Sequence, residues 1–235
     1  MASERSEPSD LIAPTPAPVG AAGQTGRAPT AGRSSLIREL PSIVEPLDLG
    51  QLFPKAQPLE VELGCGDGSF LVAYAAMHPE RNFIGVERLL GRIQKLSRKG
   101  IRAALTNLAG IRIESRYFLQ YLLAKHTVAA LHIYFPDPWP KRKHASNRLI
   151  NDDFPILARA VLQPGGMIYL RTDDQSYFEQ MIETFAAAPE FRQVDTPADL
   201  AAILTDFEKD FQARGISTLS AAFQAGNTHT IGLEP

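Results

Sequence analysis

Apolar positions along the chain fall in short runs that alternate with segments of helical spacing. Leu59–Gly64, "LEVELG", is an apolar run ending in glycine, and "SFLVAYAAMHP" follows with the spacing of a helix. Asn82–Glu87, "NFIGVE", predicts the next strand and "LLGRIQKLSRKG" the next helix. A weaker third strand is expected over Ile111–Ser115, "IRIES", and a strong fourth over Ala130–Phe135, "ALHIYF". "DDFPILARAVLQPGG" reads as a helix closed by Pro-Gly-Gly, and Met167–Asp173, "MIYLRTD", as a fifth strand. "SYFEQMIETFAAA" predicts another helix and Thr228–Leu233, "THTIGL", a last strand. Strands separated by helices of this length imply parallel βαβ units and an α/β, doubly wound sheet. Met1 to about Ser35, rich in Ala, Pro, Ser and Gly, has no such pattern. It buries too little to offset its ordering entropy and is expected to be a disordered tail, leaving residues 36–235 as one domain.

Composition narrows the setting. The 235 residues are 44% hydrophobic, and no apolar run approaches the roughly 18 residues of a membrane span. The single cysteine, Cys65, cannot form an internal disulfide, which suits a reducing compartment. "LIAPTPAPVGAA" is broken by prolines and is no secretory signal, so a cytoplasmic protein is expected, as monomer or homodimer. The five histidines have no ligand spacing, and no metal is expected. A formal charge of -2 argues against a protein that coats nucleic acid indiscriminately, but leaves room for a local basic surface.

The first long strand runs into "ELGCGDGSF", in which Gly64, Gly66 and Gly68 open a helix. In open α/β sheets ligands bind beyond the carboxyl ends of the strands, and glycines let backbone approach them closely. The spacing is G-x-G-x-G, not the G-x-G-x-x-G of a dinucleotide site. Glu87, ending the second strand, is placed to accept hydrogen bonds from two ribose hydroxyls. Glu62 sits beside the loop, where a carboxylate could meet a cationic amino or sulfonium group. An adenosine carrying a cationic amino acid, S-adenosylmethionine, fits these parts better than a dinucleotide.

The fourth strand leads into "FPDPWPKRKHASNR", whose prolines stiffen the backbone on both sides of Asp137. Asp137 is thereby held on the same sheet edge as the glycine loop, facing the transferable group. Trp139 either packs the loop against the domain or stacks on a base. Lys141, Arg142, Lys143, His144 and Arg148 follow at once. A second acid-free run, "RLLGRIQKLSRKGIR", places Arg88, Arg92, Lys95 and Lys99 on one helical face, beside a buried stripe of Leu89, Ile93 and Leu96. Two basic elements flanking one cleft read as a phosphate track.

"VELGCGDGSF", "IGVER" and "FPDPWPKRKH" together closely resemble the bacterial tRNA (guanine-N7-)-methyltransferase family, from about Leu36 to the C-terminus. The resemblance implies a Rossmann-like class I methyltransferase with a mostly parallel, seven-stranded sheet and helices on both faces. It implies S-adenosylmethionine as cofactor and the variable-loop guanine of tRNA, position forty-six, as target. Carried over by motif, Glu62, Gly64, Gly66, Glu87 and Asp137 would contact the cofactor, with Asp137 also catalytic. Lys141, Asp173 of "LRTDD", and Thr205 and Glu208 of "TDFE" would contact the guanine. Arg92, Lys95, Arg142, Lys143, His144 and Arg148 would contact RNA. The chain departs from the pattern twice. Ser115, or Glu114 one residue earlier, stands where an acid or amide usually meets the adenine, and Asn147 stands where arginine is common.

N7 of guanine carries a free lone pair, so no strong base is needed, and carboxylates near the cationic product would stabilise the developing charge. Simpler roles compete at several positions. Asp173 could cap the helix starting near Gln175, and Thr205 with Glu208 spell a capping box. A small-molecule or protein methyltransferase does not need two basic stretches. An RNA-binding scaffold with a vestigial fold has no use for Glu62, Glu87 and Asp137.

Overall fold

The computed structural model describes residues 35–140 and 146–227. The tail up to residue 34, Lys141, Arg142, Lys143 and His144, and the expected last strand Thr228–Leu233 lie outside the described residues. Among the described residues eight strands form one sheet: β1 (Ile37–Arg38), β2 (Leu59–Leu63), β3 (Asn82–Val86), β4 (Leu108–Ile111), β5 (Val128–Tyr134), β6 (Leu162–Thr172), β7 (Phe191–Val194) and β8 (Leu219–Ala225). Their order is β1-β4-β3-β2-β5-β6-β8-β7, parallel except for β8, which runs antiparallel to both β6 and β7. The helices are α1 (Leu49–Leu52), α2 (Ser69–Met77), α3 (Leu90–Arg102), α4 (Ser115–Tyr117), α5 (Phe154–Val161), α6 (Gln175–Ala186), α7 (Ala198–Ala202) and α8 (Asp206–Ala213). A π-turn, Phe118–Leu122, extends α4.

The central strands β2 and β3 are buried at every position, as strands covered on both faces must be. One apolar cluster joins Val61, Leu131 and Leu170 to Phe154 of α5 and Phe185 of α6. The other joins Phe83, Ala130 and Tyr169 to Phe70 and Leu71 of α2 and to Ile93 and Leu96 of α3. The chain leaves β2 toward β3 and β4 on one side and later returns to β5 and β6 on the other. The topological switch therefore lies between the carboxyl ends of β2 and β5.

Several expected boundaries move. The sheet has eight strands rather than seven because Ile37 and Arg38 pair in parallel with Gly110 and Ile111. The third long strand is Leu108–Ile111, not Ile111–Ser115: "LAGI" is buried throughout, whereas Arg112 is exposed and Glu114 caps α4. Helix α5 ends at Val161, and Pro164, Gly165 and Gly166 are taken into β6 at an irregularity between the Leu162 and Met167 pairings. Strands β7 and β8 carry charged, amide and alanine positions rather than an apolar run, so pairing defines them more than propensity does. Leu89 is 47% exposed at the start of α3, so the buried stripe of that helix is Ile93 and Leu96.

Candidate active site

Gly64, Gly66 and Glu62 meet at the switch point. Gly64 and Gly66 hold φ of 78° and 55°, and a Cβ built on either would meet nothing within 4 Å. Backbone thus lines open space that side chains would fill. The cleft in front of it, about 420 Å³, is lined by Glu62, Gly64, Gly66, Asp67 and Phe70, and by Tyr134 and Phe135 at the end of β5. Arg92 and Lys95 reach it from α3, and Thr205, Asp206, Phe207 and Asp210 from α8.

Glu62 is buried, and its Oε2 has no hydrogen-bond partner among the described residues. Burial pushes its pKa to about 8; Arg171 opposes the rise, and the charges of Asp67 and Glu87 add to it. A carboxyl desolvated in this way gains most from a cationic donor entering the cleft. The open glycine cradle and the unpartnered Glu62 oxygen therefore fit the amino-acid end of S-adenosylmethionine. Glu87 is also buried, and its Oε1 accepts the Leu89 backbone N–H at 2.7 Å. It flanks the cleft rather than lining it.

The loop after β5 is held by a residue expected on the RNA surface. Arg148 is 8% exposed; its Nε donates to Pro138 O at 2.7 Å and its Nη1 to Gln180 Oε1 at 2.5 Å. Its guanidinium lies 4.7 Å from the centre of the Tyr177 ring. Arg148 is turned inward, tying the proline loop to α6. Phe135 and Trp139 adopt positive φ, 51° and 43°, which turns the backbone sharply at both ends of the Pro-Asp-Pro segment. Asp137 is exposed on this loop and does not line the cleft. Trp139 is half-buried.

Thr205 and Glu208 form the capping box that their spacing spells. Thr205 Oγ1 accepts the Glu208 N–H at 3.1 Å, and Glu208 Oε2 accepts the Thr205 N–H at 2.7 Å. Both are buried, and of the two only Thr205 lines the cleft. Asp174, not Asp173, caps α6 by accepting the Tyr177 N–H at 2.7 Å. Asp173 is left exposed after β6. Glu114 accepts the N–H groups of Arg116 and Tyr117 on its two oxygens, so the capping role falls to it and Ser115 begins α4.

On the basic helix, Arg92 and Lys95 are exposed at the cleft, whereas Lys99 is engaged internally with Asp67 Oδ2 at 2.9 Å and Ser69 Oγ at 2.8 Å. Ser69 lies between Asp67 and Asp206, hydrogen-bonded to both, which joins the glycine loop to α8. Sequence reasoning missed this contact and the whole α8 side of the cleft apart from its capping box. It also missed a polar chain that runs from the half-buried Arg81 through the core to Tyr134 at the cleft. Arg81 Nη1 donates to Glu60 Oε1 at 2.6 Å, Glu60 Oε2 meets His132 Nε2 at 2.7 Å, and His132 Nδ1 meets Tyr134 Oη at 2.8 Å. The available signal was a polar residue inside an apolar run, Glu60 in "LEVELG" and His132 in "ALHIYF".

Without β1, the sheet follows the order 3-2-1-4-5-7-6 with the seventh strand antiparallel, and a glycine cradle follows its first strand. Sheet and cradle define a class I methyltransferase fold. The fold is similar to crystal structures of the 16S rRNA methyltransferase KamB and of a 30S ribosomal A1408 methyltransferase from an uncultured bacterium. Their TM-scores are 0.55 and 0.53, at 18% and 20% identity, and each match covers 77% of this chain and 95% of the other. A family model described as "Putative methyltransferase" matches residues 56–221. Two curated relatives, each named tRNA (guanine-N(7)-)-methyltransferase, come from Nitrosomonas europaea and Sodalis glossinidius. They are 35% and 34% identical over 72% and 73% of this chain, and over 77% and 74% of their own lengths. A third of the same name, from Syntrophotalea carbinolica, is 38% identical over 58% of this chain and 59% of its own length. The chain belongs to the tRNA (guanine-N(7)-)-methyltransferase family.

Proposed function

We propose that this protein methylates N7 of a guanine in tRNA with S-adenosylmethionine, in the cytoplasm, and that the guanine is the variable-loop one at position forty-six. The observation that carries the reading is one cleft shared by the buried Glu62, the Gly64–Gly66 cradle, the capping-box Thr205 and the exposed cations Arg92 and Lys95. The names of the relatives support the substrate.

Glu62 and the cradle would hold the amino-acid end of the cofactor, and Glu87 its ribose. The cofactor supplies an electrophilic methyl on a sulfonium. Guanine N7 would meet that methyl with a free lone pair, so no residue of the chain need take up a proton. The chain's task is therefore orientation and charge. The Arg148-braced loop would carry Asp137 toward the transferable methyl, and Asp173, which follows the end of the neighbouring strand, would join it. Both carboxylates act on the positive charge that the purine acquires. Thr205 faces the base; Glu208 acts from behind it through the box. Arg92 and Lys95, with Arg142, Lys143 and His144, receive phosphates, and Lys141 the guanine. Ser115, with Glu114 committed to its cap, is the residue left for the adenine edge.

The test is transfer of labelled methyl from S-adenosylmethionine to an unmodified tRNA transcript, followed by nucleoside analysis. The expected product is 7-methylguanosine. A labelled adenosine or cytidine, or label that stays with the cofactor, would remove the proposal.

A further inference from the structure

One guanidinium links the α7–α8 side of the cleft to the rings that line its other side. Arg171, the penultimate residue of β6, is 4% exposed. Its Nη1 donates to Glu208 Oε2 at 2.8 Å and to Ile203 O at 2.7 Å, and its Nη2 donates to Leu200 O at 2.7 Å. It therefore grips the end of α7, the turn after it, and the capping box that starts α8. Its other side faces the cofactor half of the site. The guanidinium carbon lies 4.5 Å from the centre of the Tyr134 ring and 5.7 Å from that of Phe70, and both rings line the cleft. Of the charges that act on Glu62, Arg171 is the cation, while Asp67 and Glu87 are anions. The nearby Cys65 thiol and Tyr134 hydroxyl are both pushed up by burial and stay neutral.

We propose that Arg171 is a positioning residue that joins the two halves of the site, docking the α7–α8 segment, which brings Thr205, Asp206 and Phe207 to the cleft, against the Tyr134 and Phe70 rings on its cofactor side. The coupling rests on the methyl-transfer reading for the identity of its ligands, but not for its geometry. Two properties of one side chain do separate work. The planar fork reaches three acceptors on two elements, which a single ammonium cannot match. The positive charge pairs the buried Glu208 carboxylate, which would otherwise be stranded.

Three variants of the full chain separate these properties: Arg171→Lys, Arg171→Met, and Arg171→Met combined with Glu208→Gln. The readouts are amide hydrogen exchange over residues 198–213 and the Kd of S-adenosylhomocysteine between pH 6 and 8. The third is kcat and KM for a tRNA transcript. Arg171→Lys keeps the charge and loses the fork, so 198–213 exchanges faster and KM for tRNA rises while the Kd for S-adenosylhomocysteine stays near wild type. Arg171→Met loses both. It also strands Glu208 as an unpaired buried carboxylate, so exchange over 198–213 rises further and KM for tRNA rises at least about 10-fold. Adding Glu208→Gln removes the stranded charge and returns part of the protection, but leaves the KM deficit. A purely structural Arg171 would lower stability without raising KM for tRNA relative to the Kd for S-adenosylhomocysteine, and that result overturns the coupling, as does unchanged exchange in Arg171→Lys. Should Arg171→Met fail to fold, Arg171→Lys still decides through its exchange and its KM. A wild-type chain that binds S-adenosylhomocysteine but leaves tRNA unmethylated would sink the functional reading and leave the coupling standing.

Discussion

Replacing Glu62 by glutamine should make the ligand-free protein more stable at neutral to alkaline pH while weakening its grip on the cofactor. Glu62 is 4% exposed and its Oε2 has no partner among the described residues, so burial raises its pKa from the ordinary 4.5 to about 8. Between those values the folded chain holds a proton that the unfolded chain has released. Folding stability then falls as pH rises, by about 1.4 kcal/mol per pH unit. By pH 8 the accumulated cost is of order 5 kcal/mol, an upper bound because water entering the cleft relieves part of it. Below pH 4.5 both states are protonated and the cost vanishes. Glutamine keeps the shape and has no charge to desolvate. Urea unfolding of both proteins at pH 5, 6, 7 and 8 measures the difference directly. The expected result is curves that converge near pH 5 and separate by at least about 2 kcal/mol at pH 8, with the variant more stable. A constant offset across that range, or a variant that is less stable at pH 8, would refute the buried-carboxyl argument. S-adenosylhomocysteine should bind the variant at least about 10-fold more weakly, since an uncharged amide replaces a charge-assisted hydrogen bond.

Asp137→Ala should abolish methyl transfer while leaving the melting temperature within a few degrees, because the side chain is exposed; a normal turnover rate removes Asp137 from the mechanism. Arg148→Met should free the Pro138 carbonyl and the proline loop, lowering kcat by about 10²-fold with little change in cofactor Kd; an unchanged kcat would show that the loop is held elsewhere. Arg92→Ala with Lys95→Ala should flatten the dependence of log K for tRNA on log salt by about 2, read from filter binding at several ionic strengths. Burial pushes the Glu60 carboxyl up, but its bonds to His132 and Arg81 outweigh this and hold it below 4.5. The stability it contributes is thus present above pH 4.5 and disappears as pH falls through its folded value. Glu60→Gln should flatten the acid limb of the stability profile and cost about 3 kcal/mol at pH 7, both seen by urea unfolding from pH 3 to 7.

The parallel half of the fold was legible because its strands are buried on both faces and so read as apolar runs: "LEVELG", "NFIGVE" and "ALHIYF" each became a strand. The antiparallel half was not. "FRQV" and "LSAAFQA" carry no run, and they form strands because each finds an edge on which to pair. The glycine loop and Glu62 were legible because open backbone and a misplaced acid leave marks in composition. Arg148 misled for the opposite reason. Charge counts do not reveal direction, and an arginine that follows a basic run looks exposed even when its guanidinium binds a carbonyl. Arg171 was invisible because its partners, Leu200, Ile203 and Glu208, lie 29, 32 and 37 residues away and two of them act through backbone oxygens. Thr205 and Glu208 carried two readings that the structure joins, since the box fixes the helix end and Thr205 meets the cleft.

The central claim is transfer to guanine N7 in tRNA at one place, and aniline cleavage tests it most directly. An unmodified tRNA transcript is incubated with the purified protein and S-adenosylmethionine, reduced with borohydride, and cleaved with aniline, which breaks the chain only at 7-methylguanosine. The account predicts one break, at the variable-loop guanine, lost in Asp137→Ala. An intact transcript, or breaks scattered over many guanines, would contradict it.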